Sequence, residues 1–260
     1  FQPDWVWIKG RSFADAHYIF DSIRGTTNAI FSHSDAAESS NTNTLTSFNS
    51  DGFTVGSESG VNGSSSTLVS WNWKAGGSAS SNSDGDITTS VSANQTAGFS
   101  IITFSGSDSD ATIGHGLGVK PNLFIVKSRG SSNAWIVGGD KIGSDNDGTL
   151  FLAHTNAASS GDNNFNNTAP TSSVITLRAG SSQSNRNGFT YVCYAFAEKK
   201  GYSKFSSYTG NGNADGTFVY TGFRPAWLMV KASSATSAWY IYDNKREGFN
   251  VDNNQLFPDR

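Results

Sequence analysis

The sequence is short of the residues that carry most covalent and metal chemistry. It contains one cysteine, Cys193, and four histidines. A single cysteine excludes a disulfide within the chain, and an apolar strand pattern without an adjacent histidine or basic residue predicts a packed, unreactive thiol. The histidines are scattered singly, so none has the spacing of a metal site or of a nucleophile with its base. The sequence therefore predicts no enzyme activity, no catalytic residue, no cofactor and no metal site.

Strong charge and long apolar runs are also missing. The net charge is −3, which does not indicate a surface for nucleic acid or another polyanion. No apolar run approaches the ~20 residues that a membrane-crossing helix requires. Runs of Glu, Lys, Leu and Ala are absent, whereas Gly, Ser, Asn, Thr and Asp are abundant, which is typical of short strands joined by turns. We therefore expect neither nucleic-acid binding nor membrane insertion.

What the sequence does contain is a repeated strand. Three segments run from Pro to Lys over the same length: Pro3–Lys9, Pro121–Lys127 and Pro225–Lys231. Their starting positions give a copied unit of roughly 100 residues, which is the size of a domain and not of a short solenoid repeat. The segments predict three copies of one β-rich module.

The similarity between copies extends beyond these strands. Gly98–Gly106 matches Gly201–Gly210, and in both cases the second Gly precedes the Pro of the next Pro-to-Lys strand by 15 residues. Thr67–Trp73 matches Thr190–Phe196 in the same way. Matches at several places separate duplication from a chance likeness of apolar runs.

A carboxylate and a guanidinium follow the repeated strand in two copies. The first copy has Asp21-x-x-Arg24 and the third has Asp243-x-x-Arg246, whereas the middle copy has lost the motif. This spacing predicts a structural ion pair that pins the end of a strand. Contact with a ligand or partner is the alternative.

Aromatic side chains are the other candidates for recognition. Trp135, Trp239 and His17 stand at the same distance after the Lys of their copies, and Tyr240 follows Trp239. Core packing or contact between modules explains most tryptophans in such a chain. Stacking on sugar rings is the alternative, and it requires that these side chains be exposed.

Short aromatic or β-branched segments bounded by turn residues predict strands almost everywhere. They lie at residues 4–9, 17–20, 52–56, 67–73, 99–105, 122–127, 134–138, 149–153, 173–178, 189–197, 203–208, 217–220, 226–231 and 238–242. Their number and spacing predict an all-β fold of tandem β-sandwich (jelly-roll-like) modules.

Composition divides the chain into four parts. Residues 1–75 form a partial β module, residues 98–200 a complete module, and residues 201–260 a second partial module. Residues 76–97 are rich in Gly, Ser and Asn and are interpreted as a linker. Asp108, Asp110, Asp145 and Asp147 lie in acidic loops, for which plain turn chemistry is favoured over a bound calcium ion.

Both ends of the sequence fall inside a module. We therefore expect a processed product or a window of a longer polypeptide. Completion of the two partial copies by one another would leave one Pro-to-Lys strand too many. Opened modules have unpaired strand edges, so residues near Phe1 and Arg260 are expected to pair with other chains or with further sequence.

The combination of segments resembles a known family. Gly98–Gly106, Gly114–Lys127, Gly201–Gly216 and Gly222–Trp227 are similar to a β-rich repeat domain of marine tailed bacteriophages. That domain occurs in large tail-fibre-like and other virion structural proteins. The resemblance covers nearly the whole chain and brings no catalytic residue with it. It implies a protein on the outside of a virion, with other virion proteins as partners.

The expected function is that of a virion structural protein of the tail-fibre or surface-appendage type, acting as a spacer or a host-surface adhesin. A homo-oligomer and a host-surface glycan are the further partners expected. A carbohydrate-binding, lectin-like module is one alternative. A polysaccharide-degrading tail enzyme is the less favoured one, because it needs two carboxylates about 5 to 10 Å apart across a groove, and the sequence does not place such a pair.

Overall fold

The structure is a computed structural model that describes residues 1–142, 148–161, 163–246 and 254–260. One α-helical turn, α1 (Ser59–Asn62), and one 3-10 turn (Asn163–Phe165) accompany eighteen strands. The strands are β1 (Trp5–Gly10), β2 (His17–Asp21), β3 (Gly25–Phe31), β4 (Ser39–Ser40), β5 (Leu45–Asn49), β6 (Gly52–Val55), β7 (Leu68–Trp73), β8 (Ser80–Asn82), β9 (Thr89–Asn94), β10 (Phe99–Ser105), β11 (Ala111–Gly114), β12 (Leu123–Ser128), β13 (Ile136–Gly139), β14 (Leu150–Phe151), β15 (Val174–Leu177), β16 (Thr190–Phe196), β17 (Trp227–Lys231) and β18 (Trp239–Asp243).

Antiparallel pairing organises these strands into sheets. The first sheet has the order β4-β3-β2-β1-β7, and the second has the order β14-β13-β12-β16-β10-β9-β8. Strands β17 and β18 form a two-stranded ribbon, and the pairs β5-β6 and β11-β15 form two smaller sheets. The repeated Pro-to-Lys strands β1, β12 and β17 thus lie in three different sheets. The predicted all-β, sandwich-type class is confirmed.

Alternation along the strands divides the side chains between two cores. In β1, Trp5 and Trp7 point into a central cluster, whereas Val6 and Ile8 point to the opposite face of the sheet. Neighbouring side chains of a strand lie on opposite faces, so a strand that is covered on both sides reads as an unbroken apolar run. Period-two alternation alone therefore places Trp5 and Trp7 on one face of β1.

The central cluster draws on the two large sheets and on the β17-β18 ribbon. It contains Trp7 and Trp71 from the first sheet, Phe99 and Tyr194 from the second, and Trp239 from the ribbon. The three repeated segments therefore share one core instead of each closing around a core of its own, although the module boundaries themselves stay a prediction.

Smaller layers cover the outer faces of the two large sheets. Val6 of the first sheet packs with Leu45 of β5 and Val61 of α1. Phe124 of the second sheet packs with Ile175 of β15 in the same manner. Each large sheet is thus buried on both faces, which is the arrangement of a sandwich.

The prediction of a linker at residues 76–97 is wrong for the residues that form strands β8 and β9. Strands β8 and β9 lie within residues 76–97, and β9 pairs with β10 from Asn94↔Phe99 to Ser90↔Thr103. The sequence signal was weak because β9 consists of Thr, Ser, Ala and Asn around one large apolar residue, Val91. Backbone hydrogen bonds to a strong neighbouring strand replace the missing side-chain signal.

Two predicted strands are absent from the structure. Residues 203–208 and 217–220 belong to none of the named strands, and most of their side chains are exposed. A strand needs a partner for its backbone groups, and these segments have no neighbouring ladder in the described chain.

Hydrogen exchange distinguishes a sheet strand from a linker at residues 76–97. We expect the amides of Thr89–Asn94 that pair with β10 to exchange as slowly as those of β10 itself, because exchange requires that the ladder open. The comparison is made by hydrogen–deuterium exchange with peptide-level mass spectrometry. Residues 206–210, which are exposed and lie outside the sheets, serve as the fast reference. Equal rates in Thr89–Asn94 and in this reference would contradict the pairing.

Candidate functional site

The two Asp-x-x-Arg motifs form buried ion pairs at the ends of strands. Arg24 Nε donates to Asp21 Oδ2 at 2.5 Å, and Arg246 Nε donates to Asp243 Oδ2 at 2.7 Å. In both motifs the other carboxylate oxygen accepts the backbone N–H groups that follow, which closes the turn after the strand. Each motif thus forms a buried pair at the end of a strand, and neither presents its charges to solvent.

Each pair also receives an aromatic donor from a neighbouring sheet. Tyr194 Oη of β16 donates to Asp21 Oδ2 at 2.6 Å, and Trp71 Nε1 of β7 donates to Asp243 Oδ2 at 3.1 Å. Tyr194 and Trp71 occupy matching positions of the two similar strands. Burial opposes a charged Asp243, but hydrogen bonds from Arg246 and Trp71 outweigh it and hold the pKa of this carboxyl below its ordinary value. The pairs therefore connect sheets as well as closing turns.

The loss of the motif in the middle copy now has a physical explanation. Gly139 and Ile142 stand where the other copies have Asp and Arg, and Ile142 is buried in the central cluster. The aromatic donor for this place would come from a strand like β7 or β16 beside the ribbon, but β17 pairs only with β18 among the described residues. A carboxylate there would be buried without that donor, which is costly. An apolar side chain avoids the cost.

The tryptophans proposed for ligand contact are instead contacts between sheets. Trp135 Nε1 donates to the carbonyl of Phe31 at 2.9 Å, and Trp239 Nε1 donates to the carbonyl of Phe151 at 2.9 Å. Trp135 and Trp239 are buried in the central cluster. Each indole N–H thus fastens its copy to the copy that precedes it in the sequence.

His17 occupies the same place in the first copy and is also buried. Its Nδ1 accepts a hydrogen bond from Trp7 Nε1 at 2.9 Å, and its Nε2 has no partner with good geometry in the described chain. The pKa of His17 lies well below its ordinary value, because burial and then the nearby charge of Lys9 oppose protonation, although the backbone carbonyl of Phe257 favours it. His17 is therefore a neutral packing residue.

These positions correct the expectation of sugar stacking at three of the four candidate residues. His17, Trp135 and Trp239 are buried, so none can present a ring face to a glycan. Tyr240 is partly exposed and packs against Phe257 with ring centroids 5.4 Å apart. The sequence could not show this, because which face of a strand another sheet covers depends on partners that are distant along the chain.

The Lys that ends each repeated strand has a role that the sequence analysis missed. Lys127 Nζ donates to the carbonyl of Asp35 at 3.1 Å, and Lys231 Nζ donates to the carbonyl of Thr155 at 3.3 Å. Lys9 Nζ reaches a backbone carbonyl as well, that of Asp15. Burial lowers the pKa of Lys127 to about 8. The recurrence of Lys at the same place in all three copies was the signal that pointed to this role.

Glu38 connects the first and second sheets through two arginines. Arg24 Nη1 lies 2.8 Å from Glu38 Oε2, and Arg129 Nη2 lies 2.8 Å from Glu38 Oε1. Burial opposes the charged carboxylate, but hydrogen bonds from Arg129 and Arg24 outweigh it, so the pKa of Glu38 lies below its ordinary value. This network extends the Asp21–Arg24 pair from the first sheet to the second.

Solvent-facing features offer little for chemistry. A shallow depression of about 440 Å³ lies over β9, β10 and β16, with Arg129 at its side. Asp110 accepts a hydrogen bond from the backbone of Ala179, while Asp145 and Asp147 lie outside the described residues. Within the described ranges no three His, Cys, Asp or Glu side chains gather as metal ligands. Nor does any described helix have the length and apolarity to span a membrane.

Removal of one hydroxyl tests the bond between sheets at Asp21. We expect Tyr194→Phe to lower the free energy of unfolding by about 1–3 kcal/mol, because a buried carboxylate loses a donor while the ring stays in place. Urea unfolding followed by tryptophan fluorescence measures the change. The matched control is Tyr220→Phe, since Tyr220 is exposed. An equal effect of the two substitutions would show that the hydroxyl of Tyr194 is not a stabilising contact.

Acid titration tests the Glu38 network. The folded pKa of Glu38 lies below its unfolded value, so the folded chain binds fewer protons. The stability that this carboxylate contributes is complete above the unfolded pKa of about 4.3 and is lost as the pH falls through the folded pKa. We expect Glu38→Gln to be less stable at pH 7 and to lose less stability than wild type between pH 6 and 3. Urea unfolding at each pH measures this.

The control for this titration is Glu58→Gln. Glu58 accepts a hydrogen bond from the amide of Asn41 and has no arginine partner in the described chain. The stability that this variant loses between pH 6 and 3 is the reference for a carboxylate without an arginine partner. If Glu38→Gln followed wild type over the whole pH range, the ionic link between the two sheets would contribute nothing to stability.

Comparison with known proteins places the chain in a family. A family model described as "Domain of unknown function (DUF7483)" matches residues 1–260. Neither curated proteins nor solved structures gave a match to the chain. Because the family match spans the whole sequence, this chain belongs to the DUF7483 family.

Proposed function

We propose that this chain is a structural protein of a tailed-bacteriophage virion, of the tail-fibre or surface-appendage type, which serves as a spacer or a host-surface adhesin. Its location would be the outside of the particle. Other virion proteins and a host-surface glycan are its proposed partners. The resemblance of its repeated segments to phage repeat domains supports the assignment.

One structural observation carries the proposal. The strongly polar side chains that the sequence singles out are spent on contacts between sheets: Asp21 with Arg24 and Tyr194, and Asp243 with Arg246 and Trp71. Buried ion pairs with additional donors hold neighbouring sheets in one arrangement. A rigid body of this kind suits a spacer that holds other proteins at a fixed distance and presents loops. Such a role depends little on any single side chain.

Exposed aromatic rings support the adhesin form of this proposal. Tyr208 and Tyr220 are 53% and 76% exposed, and both lie after the second sheet in the chain. Tyrosine rings with an open face stack on the apolar faces of sugars. A lectin-like role would therefore use these residues, and not the buried positions His17, Trp135 and Trp239.

Immunogold electron microscopy tests the proposed location. Antibodies against the chain should label an appendage of intact, purified particles of the phage that encodes it. Particles treated with pre-immune serum provide the background. Detection of the chain in lysates of infected cells with no label on intact particles would contradict a virion role.

Incubation with host surface polysaccharide separates adhesion from glycan cleavage. We expect the chain to bind without generating new reducing ends, because no carboxylate pair is assigned to catalysis. Reducing ends are assayed over time, with heat-inactivated chain as the control. A sustained release of oligosaccharide would overturn the non-enzymatic assignment.

A further inference from the structure

Exposed apolar side chains are concentrated in one segment. Seven large hydrophobic residues of the described chain are exposed, and five of them lie between residues 202 and 228: Tyr202, Tyr208, Phe218, Tyr220 and Leu228. Four of these five lie in the segment 202–226, called here the exposed segment, and Leu228 follows it in β17. The exposed segment belongs to no named strand and makes one isolated bridge, Lys199↔Ser203. A concentration of this kind marks a surface that another polypeptide covers.

The exposed segment begins with the counterpart of a central strand. Gly201–Gly210 matches Gly98–Gly106, which contains β10. In the second sheet β10 lies between β9 and β16 and pairs with β16 from Phe99↔Phe196 to Ser105↔Thr190. The start of the exposed segment therefore carries the sequence of a strand that pairs with a β16-type edge.

Such an edge is open elsewhere in the chain. Among the described residues strand β7, the counterpart of β16, pairs only with β1, whereas β16 pairs with both β12 and β10. Burial reflects the difference. Five consecutive residues of β16, Tyr191–Ala195, are buried, whereas only Trp71 of β7 is buried. The second edge of β7 lacks the neighbour that its counterpart has.

The incomplete burial of a tryptophan beside this edge also indicates that a neighbouring strand is missing. Trp5 is 2% exposed and packs against Phe99 of β10 with ring centroids 5.9 Å apart. Its counterpart Trp227 packs against Trp73 of β7 at 5.4 Å but is only partly buried. The missing cover corresponds to the position of Phe99, and the counterpart of Phe99 in the exposed segment is Tyr202.

We propose that the exposed segment of one chain adds a strand to the free edge of β7 in a second copy. Residues 202–205 would pair antiparallel with β7 in the register of the start of β10 with β16. The register is assigned at this end because Gly201–Gly210 is one residue longer than Gly98–Gly106. Tyr202 then lies opposite Trp73, and Ser203 lies opposite Asn72. The exchanged strand replaces solvent at the backbone groups of the edge and covers Trp227.

The exposed segment of a second copy is the occupant assigned, because it carries the sequence of the strand that pairs with a β16-type edge. The edge and the segment coexist in the described structure and are not paired. In the single chain the start of the segment is held by local contacts instead. The N–H groups of Tyr202 and Ser203 donate to the carbonyl of Lys199 at 2.9 Å, Lys204 Nζ lies 3.0 Å from Glu198 Oε2, and the N–H of Phe205 donates to Glu198 Oε1 at 2.9 Å. The exchanged strand would replace these local contacts with a ladder along β7.

The proposed contact joins two different surfaces of the same chain. It is therefore heterologous and continues from copy to copy as a head-to-tail row, or closes into a ring. Strand β17 remains in its own chain against the central cluster. Only one strand is exchanged between copies. The two partial modules therefore do not have to complete one another, and no Pro-to-Lys strand is left over.

Cysteine cross-linking tests the register. Asn72→Cys and Ser203→Cys are made in separate full chains, mixed and oxidised. The native Cys193 is buried with a raised pKa, so it takes no part. We expect a disulfide-linked dimer in the mixture, because opposed residues of paired strands have the spacing that a disulfide needs. The matched control replaces Ser203→Cys by Ser206→Cys, three residues along the same segment, and should give little dimer.

The same two cysteines in one chain identify the occupant. Linked dimers and larger species are expected from the double variant. A disulfide that closes within a monomer would show that the segment pairs with β7 of its own chain, which would overturn the proposal. Equal cross-linking of the Ser203→Cys and Ser206→Cys chains would overturn the register.

Sedimentation of chains without added cysteine tests association directly. The wild type should gain mass with concentration, and Tyr202→Asp should shift this association to at least ~10-fold higher concentration, because a charge replaces a ring that faces Trp73 and Trp227. Tyr220→Asp, in the same segment but outside the paired strand, should associate like wild type. A wild type that stays monomeric at every concentration, or equal losses in the two variants, would overturn the strand exchange.

Discussion

The shared aromatic core is the constraint on which the rest of the structure depends. Trp7, Trp71, Phe99, Tyr194 and Trp239 come from three sheets and are buried in one cluster. Large rings bury much apolar area for each residue, so a chain with few aliphatic side chains still closes a core. The cost is that no sheet is complete alone, since each contributes one wall of a common interior.

The polar contacts follow from that core. A ring of Trp or Tyr carries an N–H or O–H group into the interior, and such a group needs an acceptor. Trp135 and Trp239 find backbone carbonyls, whereas Tyr194 and Trp71 find the carboxylates of the Asp-x-x-Arg motifs. The motif that looks like a local turn device is thus also an acceptor for a distant ring, and it is absent where no such ring arrives.

Local pattern predicted most of the strands but not what covers them. Alternation placed Trp5 and Trp7 on one face, and spacing identified the Asp21–Arg24 pair, because both depend on residues close in sequence. Strand β9 gave almost no signal, since its pairing depends on the backbone of β10. The burial of His17 and Trp135 was not predictable, because the covering residues lie far away along the chain. Residues 203–208 have a strand sequence without a strand partner, and so pattern alone misjudged them.

The buried Cys193 has a consequence for where the chain can fold. Its thiol lies fully inside the second sheet, and burial raises its pKa, so almost no thiolate is available to oxidants. The chain has no second cysteine with which Cys193 could form an internal disulfide. Its stability therefore has no redox component, and transfer from a reducing to an oxidising compartment leaves the fold without a bond to make or break.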